Sequence, residues 1–358
     1  DLESIHWLED FLSEFNNTVI VVSHDRHFLN TVCTHIADID FGKIQLYVGN
    51  YDFWYMSSQL VAKQMKDEKK RREEKIAELK EFILRFSSNV AKARQATSRK
   101  KLIDKLTIDD IQPSSRRFPY VAFKPNRECG KNILEIKNLT KTIDGETVLD
   151  HVNILVNNGD KIAFVGPNHL AKTILFQIVT GNMEPDDGEY TWGVTTSQGY
   201  FPKNNDKLFE EDLSITDWLG QFVEDADETY LRSFLGRMLF SGDEALKSCK
   251  VLSGGEKVRC VLAKLMLEGA NCLIFDEPTS HLDLEAIQSL NNGLIDFKGI
   301  CLFNSHDHQF VDSIANRIIE FTPKGIIDRY MKFDDYMSDP AIKALRMEMY
   351  GSKNAVAL

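Results

Sequence analysis

One stretch constrains this 358-residue chain more than any other: Lys161-Ile162-Ala163-Phe164-Val165 runs straight into Gly166, and Lys172-Thr173 follow within the next turn. Consecutive apolar residues leave no polar face, so the run reads as a strand buried on both sides, the habit of an α/β sheet covered by helices. Residues Gly166 to Thr173 then follow the spacing G-x-x-x-x-G-K-[ST]. In that pattern backbone N–H groups wrap a phosphate, the Lys reaches its oxygens and the hydroxyl ligates Mg²⁺. Gly166, Lys172 and Thr173 are kept, and Asn168 falls inside the cradle, but Ala171 stands where the second glycine belongs. A Cβ there obstructs the phosphate or demands a costly φ, and His169 and Leu170 add bulk. Two outcomes stay open: a nucleotide held without fast hydrolysis, or a strand–loop–helix scaffold that holds none.

Three further motifs follow in order. Val251-Leu252-Ser253-Gly254-Gly255-Glu256-Lys257 precedes the apolar run Leu273-Ile274-Phe275, which closes in Asp276-Glu277-Pro278, and Ser305-His306-Asp307 comes later. Ser253, Gly254 and Gly255 offer a hydroxyl and bare N–H groups to a phosphate at a helix start, where the helix dipole favours anions. Asp276 suits Mg²⁺ held through water, Glu277 suits orienting and deprotonating an attacking water, and His306 suits a hydrogen bond at the γ-phosphate end. Taken singly, an SGG is a turn, a DE a solvated strand end and a His a structural residue. In this order they resemble the parts of an ABC-type ATPase, which implies ATP and Mg²⁺ as ligands.

Composition narrows the setting. The chain is 43% hydrophobic and 27% charged, as an ordinary globular protein is, and no apolar run reaches the ~18 residues a membrane span needs. A cytoplasmic address without a membrane partner is expected. Six cysteines form no CxxC pair and sit mostly in apolar runs, so reduced thiols are expected rather than disulfides or metal ligands. The net charge of −11 is unevenly spread, because residues 62–105 hold 15 Lys/Arg against 7 Asp/Glu. That segment reads as two charged helices, 55–86 and 91–106, broken at Ser87-Ser88-Asn89, with Ile76, Leu79 and Ile83 as a thin apolar seam. Pro113, Pro119 and Pro125 then mark an extended connector. Trp218, Phe222, Phe234, Leu235, Met238 and Leu239 recur at helical spacing within 212–248 and read as the core of a small helical subdomain.

The chain also repeats itself. Val22-Ser23-His24-Asp25 aligns with Asn304-Ser305-His306-Asp307, Asp1-Leu2-Glu3 with Asp283-Leu284-Glu285, and Tyr51-Asp52-Phe53 with Phe333-Asp334-Asp335. Two related domains are therefore expected, the first lacking its front, as in a fragment of a longer chain. For that first copy the pattern predicts a helix over 3–15, a buried strand at Thr18–Val22, a helix at Arg26–Thr34 and a strand pair over Ile36–Val48.

With Asp276-Glu277-Pro278-Thr279-Ser280-His281-Leu282-Asp283 and the linker containing Arg85-Phe86-Ser87-Ser88-Asn89, the chain closely resembles the ABC-F group over residues 1–337. The resemblance implies a P-loop NTPase ABC-type nucleotide-binding domain with a helical subdomain, preceded by a long α-helical hairpin linker and part of a first ABC domain. The implied division is 1–54 for the remnant of the first ABC ATPase domain, 55–112 for the basic hairpin linker, 113–130 for the connector, 131–337 for the second ABC domain and 338–358 for a tail. Members bind the ribosome near the exit tRNA site, with the linker directed at tRNA and rRNA; some throttle translation and others protect against antibiotics. On that pattern Arg85, Lys92, Arg94, Arg99 and Lys100 are RNA-binding candidates. From Arg85 to Lys101 there are six basic residues and no acid, which suits RNA phosphates and equally suits a solvated helix pair. The family's head-to-tail pairing implies that Ser253, Gly254, Gly255 and Glu256, with His24, serve ATP on a missing first domain. Lys172, Thr173, Asp276, Glu277 and His306 would await that domain's signature. Two departures stand out. Ile143 lies where members commonly stack an aromatic on adenine, and Lys203 replaces the usual Gln, either touching phosphate or standing as an exposed loop residue. A transporter's nucleotide-binding subunit and a degenerate, non-hydrolysing ABC scaffold remain the alternatives.

Overall fold

The Lys161–Val165 run becomes a central strand, and what surrounds it sets the whole architecture. The computed structural model describes residues 2–86, 98, 100–103, 116–223 and 227–351. They divide into two compact units, Asp1–His27 with Phe118–Leu358, and Phe28–Arg117. Residues 28–54 thus fall in the smaller unit, and the connector from Phe118 onward falls in the larger one.

In chain order the helices and strands up to the connector are α1 (Leu2–Ser13), α2 (Arg26–Val32), β1 (His35–Asp40), β2 (Lys43–Val48) and α3 (Tyr51–Phe86). After it come β3 (Asn132–Ile143), β4 (Glu146–Asn157), β5 (Lys161–Val165), α4 (His169–Val179), β6 (Asp187–Trp192), β7 (Gln198–Phe201), α5 (Ile215–Gly220) and α6 (Glu228–Arg237). The remainder is α7 (Gly254–Glu268), β8 (Cys272–Asp276), α8 (Leu284–Asp296), β9 (Ile300–Asn304), α9 (His308–Ile314), β10 (Arg317–Thr322), β11 (Gly325–Arg329), α10 (Phe333–Ser338) and α11 (Pro340–Tyr350).

In the larger unit six strands run β11-β10-β5-β9-β8-β7, all parallel except the antiparallel β10–β11 pair, and β4-β3-β6 form a separate antiparallel sheet. Two apolar cores result. One packs Ile162, Phe164 and the inner face of α4 against the second sheet, and the other packs Phe275, Phe303 and the helical subdomain. Trp218, Phe234, Leu235 and Met238 lie in that second core, with Phe222 partly buried against it. The connector docks by Phe123, whose ring meets Phe275 and Phe297 edge-on at 5.8 and 6.1 Å. Four of the six cysteines are buried and all are free. No helix among the described residues is long and apolar enough to cross a membrane.

Thr18–Val22, expected as a buried strand, forms none: Ile20 and Val22 are 91% and 94% exposed. A strand persists only where neighbours take up its N–H and C=O groups, and among the described residues none pairs with this run.

In the smaller unit β1 and β2 form a hairpin around Phe41-Gly42, both at positive φ (48° and 71°), which matches the twist a two-residue turn requires. Arg116 closes back on it, pairing with Asp38 and lying 4.8 Å over the Trp54 ring. The first linker helix is observed as α3, with Leu79 buried at its seam. Arg85 lies in α3, while Lys92, Arg94 and Arg99 lie outside the described residues; Lys100 is exposed and helical.

The segment expected as a tail is largely a docked helix. Glu320 of β10 is fully buried and accepts from Tyr336 Oη (2.5 Å), Arg346 Nε (3.2 Å) and Tyr350 Oη (2.7 Å), which ties α10 and α11 to the sheet. Removing the carboxylate leaves a buried guanidinium uncompensated, so Glu320→Ala is expected to lower unfolding free energy by about 3–5 kcal/mol. Urea denaturation measures this, and a loss below ~1 kcal/mol would mean the network does not anchor the helices.

Candidate functional site

Parallel strands β5, β9 and β8 deliver their C-terminal ends to one edge, where an α/β sheet places its ligands. Asn304 ends β9 directly opposite Asp276 at the end of β8. Its Nδ2 donates to Asp276 Oδ1 (2.8 Å), and its Oδ1 accepts the Glu277 N–H (2.6 Å). Glu277 is thereby held at φ 51°, a conformation uncommon outside glycine. Asp276 is fully buried, and its Oδ2 has no hydrogen-bond partner among the described residues. Desolvation raises its pKa, while bonds from Asn304 and the Thr173 hydroxyl pull the other way. Oδ2 is left without a bond, and the Thr173 hydroxyl lies near enough to the carboxylate to influence its acidity. A hard divalent cation takes such a carboxylate–hydroxyl pair, and Thr173 and Asp276 therefore fit Mg²⁺.

Glu277 Oε1 receives Lys203 Nζ at 3.0 Å and His306 Nε2 at 3.2 Å. The His306 bond, with Lys203 adding to it against the opposing effect of burial, draws the Glu277 pKa down to about 2. A carboxylate so acidic orients a water well but is a weak proton acceptor at neutral pH until these partners leave. Lys203 is ion-paired to Glu277.

Gly166 sits at φ 110°, and a Cβ there would lie 2.4 Å from Phe321 O, so only glycine fits. Lys172 Nζ turns back on the loop and donates to Gly166 O at 3.0 Å. Burial, partly offset by Glu277 and Asp276, lowers its pKa to about 8. Asn168 Oδ1 accepts the Ala171 N–H at 3.0 Å and caps α4. The expected obstruction by Ala171 is corrected here. Its backbone is not in the positive-φ region, and its methyl group packs in the core with Ile162, Phe164 and Ile174. The group standing over its N–H is the Asn168 carboxamide. His169 is exposed, its ring 4.7 Å from that of His306, and desolvation together with the Lys172 charge lowers its pKa to about 4.

Ser253 caps α7 and forms a reciprocal capping box with Glu256, whose Oε2 accepts from Ser253 N at 2.8 Å. Lys247 holds the other Glu256 oxygen at 3.1 Å. Gly254 and Gly255 lie under His281: a Cβ on them would meet its side chain at 3.4 Å and its carbonyl at 3.1 Å. The candidate residues line two cavities. Thr173, Lys203, Asp276 and Tyr200 border one of about 990 Å³; His24, Ser253, Gly255, His281 and His306 border another of about 620 Å³. Ile143 ends β3, half-buried against the core beside the second sheet.

Two contributors escaped the sequence reading. Asn304 appears in the sequence only as the repeat partner of Val22, and its register opposite Asp276 reveals it. Arg26, 1% exposed, donates to Gln288 Oε1 at 2.5 Å and lies 3.6 Å from Asp307, which caps α9 just after His306.

Residues 149–280 match the family model described as ABC transporter, and residues 37–123 match a second model of the same description. An "Uncharacterized ABC transporter ATP-binding protein YkpA" of Bacillus subtilis is 61% identical over 352 residues, covering 98% of this chain and 65% of its own length. A "Probable ATP-binding protein YbiT" of Escherichia coli O157:H7 is 41% identical, covering 96% and 65%. The "Energy-dependent translational throttle protein EttA" of Haemophilus influenzae is 31% identical, covering 94% and 61%. The chain thus spans less than two thirds of the length of these relatives. It contains an ABC ATP-binding cassette domain and has the α/β fold of P-loop ABC ATPases.

Asn304→Ala strands a buried carboxylate oxygen and leaves the Glu277 N–H only its longer bond to the residue 304 carbonyl, 3.3 Å. At about 1–3 kcal/mol for an unsatisfied buried group, a loss of about 1–3 kcal/mol is expected in denaturant unfolding. A loss under ~0.5 kcal/mol would show that Asn304 does not hold this edge.

Proposed function

We propose that the chain binds ATP with Mg²⁺ and belongs to an ABC-F type protein that acts on the ribosome, its basic linker contacting rRNA or tRNA. The observation that carries the nucleotide reading is the buried, partnerless Asp276 Oδ2 beside Thr173. Thr173 and Asp276 would hold Mg²⁺, which would supply neutralisation of phosphate charge. Lys172 leaves Gly166 O for the phosphate oxygens, and Asn168 releases the Ala171 N–H. Lys203 exchanges Glu277 for the γ-phosphate, which frees Glu277 to orient water and His306 to steady the phosphate end. Ser253, Gly254, Gly255 and Glu256, with His24, face nucleotide held by a partner cassette domain that completes both sites. Hydrolysis is slow while the loop favours its own internal bonds. The translational reading is supported by the 31% identity to a protein described as a translational throttle and by the basic strip at Arg85, Lys92, Arg94, Arg99 and Lys100.

Two observations favour other readings. The name of the 61%-identical relative suggests a transporter's ATP-binding subunit, which stable co-purification with a membrane protein would support. The self-bonded loop suggests a non-hydrolysing scaffold, which absent binding of labelled ATP would support.

The test is co-sedimentation with purified ribosomes. Glu277→Gln is expected to be retained several-fold more with Mg-ATP than without. Retention should fall steeply with salt and weaken on Lys100→Glu, because phosphate contacts release counterions. Nucleotide-independent retention, or none, would end the ribosomal reading.

A further inference from the structure

We propose that His169, Glu277 and His306 form a transition-metal site of the zinc class at the mouth of the phosphate loop. The ligating atoms of the three side chains lie within 4.8 Å of one another. His306 Nε2 and Glu277 Oε1 are 3.2 Å apart, close to the ~3.4 Å edge of a tetrahedron with bonds of about 2.0–2.1 Å to nitrogen and oxygen. The His169 and His306 rings lie 4.7 Å apart with planes at 58°. The Glu277 backbone is fixed by Asn304, and His306 already holds its carboxylate oxygen at 3.2 Å.

Ligand chemistry separates this cluster from the Thr173–Asp276 pair. Oxygen donors suit Mg²⁺, whereas two imidazoles and one carboxylate suit a softer divalent ion and leave a fourth position for water or a phosphate oxygen. His169 is the element that the G-x-x-x-x-G-K-[ST] pattern does not call for, and it supplies the third ligand. Three features oppose a cation here: the start of α4 carries partial positive charge, the Lys172 charge acts on His169, and Lys203 sits on Glu277 Oε1. Glu277 must therefore outweigh them, and Lys203, half-exposed on a flexible stem, must be displaced. A bound ion would take both Glu277 and His306 away from water, which makes the site a brake on any chemistry at that edge. The inference does not depend on nucleotide binding or on the ribosome.

The test uses the whole chain, freed of metal by a chelator and without nucleotide, with Zn²⁺ competed against a chromophoric zinc chelator. One tight equivalent is expected. His169→Ala and His306→Ala should each weaken it at least about tenfold, the effect expected even of an outer partner. Lys203→Ala should tighten it several-fold by removing the competing ammonium, and the exposed His151→Ala should leave it unchanged. Far-ultraviolet circular dichroism on each variant checks that it folds. With Co²⁺ as probe, the visible absorption of a tetrahedral site should appear in the parent chain and vanish in Glu277→Gln. Wild-type affinity in His169→Ala, no tightening in Lys203→Ala, or loss in His151→Ala equal to that in His169→Ala would overturn the assignment.

Discussion

The carboxamide of Asn304 is the constraint on which the site depends. It is 2% exposed and sits where two parallel strands end together, donating to one acidic side chain and accepting from the backbone of the next. Because both of its functional groups are used, Asp276 and Glu277 cannot turn independently. Asp276 gives one oxygen to Asn304 and leaves the other unsatisfied, while Glu277 is forced through a left-handed backbone step that carries its carboxylate toward Lys203 and His306. The strain at Glu277 persists because the neighbouring strand over-determines it.

Around that fixed edge each cation has an internal acceptor. Lys172 holds Gly166 O, Lys203 holds Glu277 and Asn168 closes the first turn of α4. These contacts satisfy groups that a phosphate would otherwise satisfy, so binding replaces bonds and does not simply add them. Such an exchange lowers affinity relative to an open cradle, since every broken internal bond must be matched by one to the ligand. The signature helix shows the same economy of polar groups, with the Ser253 hydroxyl and Glu256 carboxylate engaged in a capping box worth about 1 kcal/mol to the helix.

The skeleton of this arrangement is legible in the sequence. Lys161–Val165 and Cys272–Asp276 are apolar enough to be buried wherever they fall, and their chemically loaded ends follow from position alone. What the linear pattern hid depends on partners. Ala171 was read against a phosphate, yet α4 begins at His169 and its helical turn rotates the methyl into the core. Thr18–Val22 carries the residues of a buried strand without a ladder to join. Lys203 was recognisable as an unusual side chain but not as the partner of Glu277, a contact that spans two strand ends. The basic strip could be counted from the sequence, and only Lys100 of its candidates has a described side chain, so its role rests on composition.

The central claim is that the phosphate loop is a closed but exchangeable set of bonds with Lys172 as its moving part. Carbon-13 NMR of ε-labelled lysine, with the Lys172 signal assigned through Lys172→Arg, reads this directly. In the free chain the signal should titrate near 8, where burial places it. With saturating Mg-ATP it should shift and its midpoint should rise above ~10, as a phosphate replaces a neutral carbonyl. An unchanged signal and midpoint at saturating nucleotide would contradict the account.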